Sequence, residues 1–357
     1  MKIKEINIKN FRSYKSLSLK INKNTNIFVG KNAQGKTNLI ESIYVLGITK
    51  SHRTFLEKNL IKESEDFSKI STKIENKELE IIITQKGKSL KINKKPIRKT
   101  SEYISNLLVI MFSPEDLELI KGSPSVRRKY LNVEISQLEK KYLIDINEFT
   151  KALKMRNEYL KQTTESTIDK EYINILNERL IKFATEITQY RKKYIIDINK
   201  QLEKVAKELT KDKIKIIYKP NPENIENYKD ILEKNIKRDL FQKATTYGPH
   251  RDDLVFQTEG KETNEYGSQG QQRLAVLSLK LSEIEIIKEK TKEYPILLLD
   301  DVFSELDQEK RNNIIKFLKK DIQSFITTTD LNNIEKSLLL ESDIFFVENS
   351  QIKGNLT

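Results

Sequence analysis

The densest chemistry in the chain lies at residues 30–37, GKNAQGKT, which satisfy the G-x4-G-K-[ST] phosphate-loop pattern. Gly30 and Gly35 allow the backbone to turn, so that successive amides of Lys31, Asn32, Ala33 and Gln34 face inward as an anion cradle. Lys36 then reaches the β- and γ-phosphates of ATP, and the Thr37 hydroxyl is a ligand for Mg²⁺. Such a loop needs a carboxylate partner, and ILLLDD at 296–301 supplies two at the end of an apolar run. Asp300 is expected to hold the metal through water. Asp301 is expected beside the γ-phosphate, where it orients or deprotonates the attacking water. With Lys36 it forms the expected catalytic pair. The plainer reading of ILLLDD is an acidic strand-to-loop junction.

A further cradle is suggested by GSQGQQRLA at 267–275, where Ser268, Gly270 and Gln271 stand at the start of a helical stretch. SELD, residues 304–307, follows the carboxylate strand.

These groups need elements to hold them. Ile27–Val29 reads as a buried strand running into the loop, and Leu39, Ile43 and Leu46 carry a helical period after it. Residues 70–97 read as a small antiparallel meander turning at Lys86-Gly87, with a strand at Leu107–Phe112 beyond. From Ser123 to about Thr210 the pattern is helical, with Ser125 as a cap for a helix starting near Val126. Apolar residues from 173 to 209, Tyr190 among them, recur every three or four positions. They predict one helix of about 57 Å. Strand character returns at Lys213–Tyr218, 296–299 and 324–327.

Composition narrows the partners. The 357 residues include 65 basic and 52 acidic side chains, a net charge of +13. Residues 1–122 carry 24 basic and 13 acidic (+11), 123–245 carry 27 and 19 (+8), and 246–357 carry 14 and 20 (−6). A uniform lysine-rich coding bias does not reverse sign, so a polyanionic partner is expected. Absence of cysteine excludes disulfides and thiolate zinc sites, and two histidines exclude a multi-histidine metal centre. No apolar run approaches a membrane span, and MKIKEINIKN lacks a secretory apolar block; a cytoplasmic protein without a membrane partner is expected.

The order of phosphate loop, Ser-x-Gly-Gln segment, hhhhDD and x-x-L-D is that of the ATP-binding-cassette (ABC) superfamily. With NFRSY (10–14), KSHRT (50–54), FSPEDLELIKGSPSVRR (112–128) and GPHRDD (248–253), the chain resembles the RecF family. These are bacterial recombination mediators with an ABC-type head related to SMC and Rad50 ATPases. The resemblance implies an α/β fold: a phosphate-loop sheet with helices and an antiparallel β subdomain, split by an inserted, mainly helical lobe. The expected boundaries are 1–125 and 246–357 for the head and 126–245 for the lobe.

The resemblance also implies an ATP-dependent homodimer on single-stranded or gapped DNA, with weak DNA-stimulated Mg-ATPase activity. Its implied partners are RecO and RecR, with RecA loaded indirectly and the SOS response supported. It makes Arg12 and Arg53 γ-phosphate contacts, the alternative for each being an ordinary surface arginine, and has Ser268, Gly270 and Gln271 close on the nucleotide of a second subunit. His250 and Arg251 lie near the site or the DNA, or else form a structural turn. Transporter-type cassettes carry a histidine after the last core strand; ITTTD at 326–330 has none, so a threonine hydroxyl is the expected substitute. Glu115 and Asp116 stand where a glutamine is usual. DNA contacts are expected on lysines 192, 193, 200, 204, 207, 211, 213 and 215, through phosphates rather than bases.

Two other classes compete. A transporter ATP-binding subunit is disfavoured by the basic first two thirds, the NFRSY start and the helical insertion. A nuclease with an ABC head would need a spare carboxylate cluster, which is not evident.

Overall fold

The computed structural model describes residues 1–305, 311, 314–316 and 321–356; Leu306 and Asp307 of SELD lie outside that set. The chain forms two compact units, Met1–Asp116 with Leu277–Thr357, and Leu117–Val276. These boundaries differ from those read in the sequence. The helix Pro124–Leu138 pairs with the strand Asp253–Thr258 through Arg127 and Asp253, and so both fall in the second unit.

Among its described residues the first unit holds two six-stranded sheets. The antiparallel one has the order β2-β1-β4-β5-β6-β7: β1 Ile3–Phe11, β2 Tyr14–Lys20, β4 Phe67–Ile74, β5 Lys77–Thr84, β6 Gly87–Ile92 and β7 Lys95–Ile97. The expected meander is its second half. The other sheet has the order β15-β14-β3-β13-β12-β8: β3 Thr25–Val29, β8 Val109–Phe112, β12 Ile296–Asp300, β13 Ser324–Thr328, β14 Ser342–Glu348 and β15 Gln351–Leu356. Its first five strands by chain order run parallel and β15 closes the edge antiparallel. Strands β3, β8, β12 and β13 are buried at every residue, as a parallel sheet covered on both faces requires. Phe28 stacks between Phe325 and Phe345, with ring centroids 6.4 and 5.2 Å away.

Register positions the chemistry. Asp300 pairs with Thr327, Thr327 with Phe28, and Val29 with Phe346, so the phosphate loop and both aspartates emerge at the carboxyl ends of β3 and β12, on either side of β13. Ligands of open α/β sheets bind at that edge.

In the second unit, helices Lys140–Gln162 and Lys170–Leu209 pack along each other. A three-stranded antiparallel sheet of β9 Ile214–Lys219, β10 Asp253–Thr258 and β11 Lys261–Glu262 completes it. The 40-residue helix is capped by Asp169, whose carboxylate accepts from the amides of Glu171 and Tyr172. Its buried stripe follows the expected period with two corrections: Ala184, not Phe183, and Arg191, not Tyr190, lie in the interior. The helix expected from Val126 begins at Pro124, with Ser123 rather than Ser125 at the cap position. A proline at the first helical position has its φ already set and lacks the N–H that would be orphaned there.

Candidate nucleotide site

The phosphate loop leaves β3 and enters the helix Lys36–Ile48. Two glycines are demanded by what lies beside them. A Cβ at Gly30 would sit 2.3 Å from the Val347 carbonyl oxygen, and Gly35 adopts φ +104° with Ser350 Oγ 2.7 Å from where its Cβ would be. The turn between β14 and β15 braces the loop: Asn349 N donates to Gln34 Oε1 at 2.7 Å and Ser350 N to the Gln34 carbonyl at 2.9 Å. Tyr14 OH donates to the Gly35 carbonyl at 3.2 Å. Lys31, Asn32 and Ala33 stay exposed at the loop's outer edge, and Ala33 itself takes a positive φ of 64°.

Lys36 is buried and folds back over the loop, donating to the carbonyls of Gly30 at 2.6 Å and Lys31 at 2.9 Å. Burial lowers its pKa, against the opposing charges of Asp301 and Asp300. Thr37 Oγ1 donates to Asp300 Oδ1 at 3.0 Å, so the two expected metal ligands, 263 residues apart, meet. Burial pushes the Asp300 carboxyl up, hydrogen bonds from Thr327 and Thr37 pull it back, and the charges of Glu115 and Asp301 push it up again.

Thr327 is the hydroxyl of ITTTD that reaches this site. It donates to Asp300 Oδ1 at 2.6 Å and accepts from the amide of Asp301 at 3.0 Å. Asp301 holds φ +53°, a left-handed conformation that turns the chain sharply after β12.

The two arginines come together. Arg12, in the tight turn between β1 and β2, donates through Nε and Nη2 to Glu41 at 2.9 and 2.7 Å. Arg53 Nη1 donates to Asn38 Oδ1 at 3.1 Å and lies 3.5 Å from Glu41 Oε2. Sequence reasoning passed over Glu41, although it is the one charged residue after Lys36 in that helix. It also passed over the β14–β15 turn, whose residues carry no phosphate-binding signature.

Ser268, Gly270 and Gln271 belong to the second unit. Ser268 Oγ accepts from Gln271 N at 3.2 Å while Gln271 Oε1 accepts from Ser268 N at 3.1 Å, a reciprocal cap on the helix Gln269–Thr291. Gln271 Nε2 also donates to Asp212 Oδ2 at 3.1 Å. Ser268 and Gly270 are exposed, and among the described residues a Cβ at Gly270 would meet only Ser268 Oγ, 3.8 Å away.

GPHRDD forms a structural turn. Pro249–Arg251 is one turn of 3-10 helix, and Asp252 behind it is fully buried against Arg191, Tyr218 and the Asn221 amide. The eight lysines expected to meet DNA are all exposed. No helix among the described residues is long and apolar enough to cross a membrane.

A loop braced at Gly30, Gln34 and Gly35, a lysine over it and a threonine–aspartate pair at its base suit a nucleoside triphosphate with a divalent cation. Among the described residues no group of three or more His, Cys, Asp or Glu could hold a metal by itself. Thr37 and Asp300 suit Mg²⁺, which keeps several waters and completes its shell with phosphate oxygens.

Comparison with known proteins places the chain in a family. The model of the RecF/RecN/SMC N terminal domain matches residues 2–353. The DNA replication and repair protein RecF of Enterococcus faecalis is 42% identical over 372 residues, covering 99% of each chain. The solved structure of the recombination mediator protein RecF with ATP, of the RecFOR pathway, superposes with a TM-score of 0.91. It is 34% identical, covering 99% of this chain and 97% of that one. An Smc head domain of Pyrococcus furiosus, bound to the C-terminal domain of ScpA, shares the fold at a TM-score of 0.54 and 17% identity, covering 99% of this chain and 96% of that one.

Proposed function

The chain belongs to the RecF family, and we propose that it is an ATP-operated DNA replication and repair protein of the RecFOR type. ATP binds at residues 30–37, and its γ-phosphate favours a homodimer that holds single-stranded or gapped DNA. RecR and RecO act with this dimer to load RecA and support the SOS response. Slow, DNA-stimulated hydrolysis releases it, and the protein works in the cytoplasm. The head is the split ATPase and the inserted part is the lobe that carries basic surface to DNA.

The observation that carries the reading is the convergence of Lys36, Thr37, Asp300 and Asp301 at the carboxyl ends of β3 and β12. Lys36 exchanges its carbonyl contacts for β- and γ-phosphate oxygens. Thr37 and Asp300 hold Mg²⁺, which neutralises charge on the phosphates. Asp301, fixed through its amide by Thr327, orients the attacking water and accepts its proton. Arg12 and Arg53 meet charge developing on the γ-phosphate. Ser268, Gly270 and Gln271 meet the nucleotide held by the second copy.

Mass in solution with and without Mg-ATP, repeated with gapped DNA at rising salt, tests this. The native chain dimerises with ATP and binds DNA with a steep salt dependence, while Lys36→Ala remains monomeric. A native chain whose mass ignores ATP, or a Lys36→Ala chain that still dimerises with it, overturns the reading.

A further inference from the structure

Glu41 lies one helical turn beyond Thr37, and its side chain is fully buried. A buried carboxylate is costly unless paired, and this one draws donors from two separate stretches of chain. Arg12 of the β1–β2 turn grips both of its oxygens, Ser51 Oγ donates to Oε1 at 2.5 Å, and Arg53 Nη1 approaches Oε2. Ser51 in turn accepts from the amides of Arg53 and Thr54 at 2.9 and 3.1 Å, so the carboxylate also fixes the KSHRT backbone. Burial alone would push the Glu41 carboxyl up; the hydrogen bonds from Arg12 and Ser51, with the charges of Arg12 and His52, outweigh it and hold the group below the usual carboxylate range.

We propose that Glu41 is the positioning residue that sets Arg12 and Arg53 side by side for the γ-phosphate, an inference that rests on the role assigned to those arginines above. The fork geometry supports it. Arg12 uses Nε and Nη2 on Glu41 and Nη1 on the Asn59 carbonyl at 2.9 Å, which locks the guanidinium plane. Three of its five N–H groups are engaged and two remain, on a side chain only 19% exposed. Arg53 is tied to Asn38, the residue after Thr37, which keeps it beside the loop. Two guanidiniums against one carboxylate leave a net positive charge, so the cluster is ordered without being neutralised toward an anion.

The rival role is a tether that only holds the KSHRT segment to the helix. A tether acts on ATP and ADP alike; a device aimed at the γ-phosphate acts on ATP alone. Calorimetric affinities for Mg-ADP and for a non-hydrolysable Mg-ATP analogue separate the two. Glu41→Gln keeps the side-chain shape but drops the charge; it is expected to weaken the ATP analogue about tenfold and ADP by less than about twofold. Arg12→Lys keeps charge but loses the fork, and is expected to show the same ATP-selective loss, which preserves the test if Glu41→Gln folds poorly. Equal losses for both nucleotides, no loss in Glu41→Gln, or full affinity of Arg12→Lys for the analogue overturns the proposal. Arg12→Ala and Arg53→Ala tell the two levels apart. If neither alters the ratio of ATP to ADP affinity, the arginine assignment falls and Glu41 with it; if they alter it and Glu41→Gln does not, only the role of Glu41 falls.

Discussion

The phosphate loop of the first unit and the ion network of the second both gather charge, and they finish the gathering differently. Lys36 rests on two backbone carbonyls, and its carboxylate neighbours act on it through space. Arg191 has a partner on each of its nitrogens: Tyr142 OH at 3.1 Å, the Pro249 carbonyl at 2.7 Å with Asp252 at 2.6 Å, and Asn132 at 3.0 Å. Asp252 answers with both oxygens, taking the Asn221 amide on one and Arg191 and Tyr218 on the other. On the proposed reading the loop's contacts are exchanged for phosphate oxygens, which are stronger acceptors than carbonyls. The network's contacts are not exchangeable, because any lost partner strands a charge in the interior. Motif residues in one chain therefore divide into those that await a ligand and those that close the fold.

The largest expected effect breaks the closed network. Arg191→Met leaves Asp252 buried without its cation and is expected to cost about 3–5 kcal/mol in urea unfolding. Adding Asp252→Asn should return part of that loss, since the stranded charge is then removed as well. A single variant within about 0.5 kcal/mol of the native chain would show that the network is not closed in the sense argued.

Asp301→Asn is the opposite kind of change. Asparagine tolerates the left-handed conformation that Asp301 holds at φ +53°, so stability should stay within about 0.5 kcal/mol. Hydrolysis should slow by about 100-fold or more, with the ATP-bound dimer persisting in sizing experiments. Unchanged turnover, or fast dissociation of that dimer, would remove Asp301 from its assigned place.

The division also explains what was legible beforehand. The strands and the phosphate loop obey local rules: apolar runs, glycine spacing and a helix start, each readable within about ten residues. The joining of Thr37 to Asp300 followed from motif chemistry despite their distance along the chain. Arg191 was not legible, because counting apolar residues places Tyr190 on the inner face. The partners that make a buried guanidinium possible, Asn132 and Asp252, lie 59 and 61 residues away. Glu41 was missed for the same reason: its charge is visible, but Arg12 and Ser51 reach it only through the fold. GPHRDD admitted a structural and a functional reading for His250 and Arg251; the burial of the following Asp252 shows that the segment includes a turn that anchors the network.

A pH titration separates the two regions further. His250 packs on Phe149 and its Nε2 contacts the Thr245 carbonyl at 3.0 Å, and burial pushes its pKa down to about 4. The unfolded imidazole titrates near 6.5, so between the two values the unfolded chain binds the extra proton. The stability tied to neutral His250 is then whole above about pH 6.5 and is lost as pH falls toward 4, about 2 kcal/mol of it by pH 5. Urea unfolding at about pH 7.5 and pH 5 should show this loss in the native chain and a smaller one in His250→Gln. Equal losses in both would assign the acid sensitivity to other groups.

The smallest expected effect falls at Gly270 and carries the sharpest contrast. Among the described residues nothing requires glycine there: a Cβ would meet only Ser268 Oγ at 3.8 Å, and the backbone φ is not left-handed. Gly270→Ala should therefore stabilise the start of the helix Gln269–Thr291 by about 0.5 kcal/mol, through the lower backbone entropy of alanine. Glycine at an exposed helix start without an internal reason fits a surface that another molecule's phosphate approaches closely, where a methyl group stands in the way. A stabler chain whose ATP-driven dimer is weaker would place Gly270 with the residues that await a ligand. A stabler chain with an unchanged dimer would make it an ordinary helix-start glycine, and would leave the capping pair of Ser268 and Gln271 with a structural task alone.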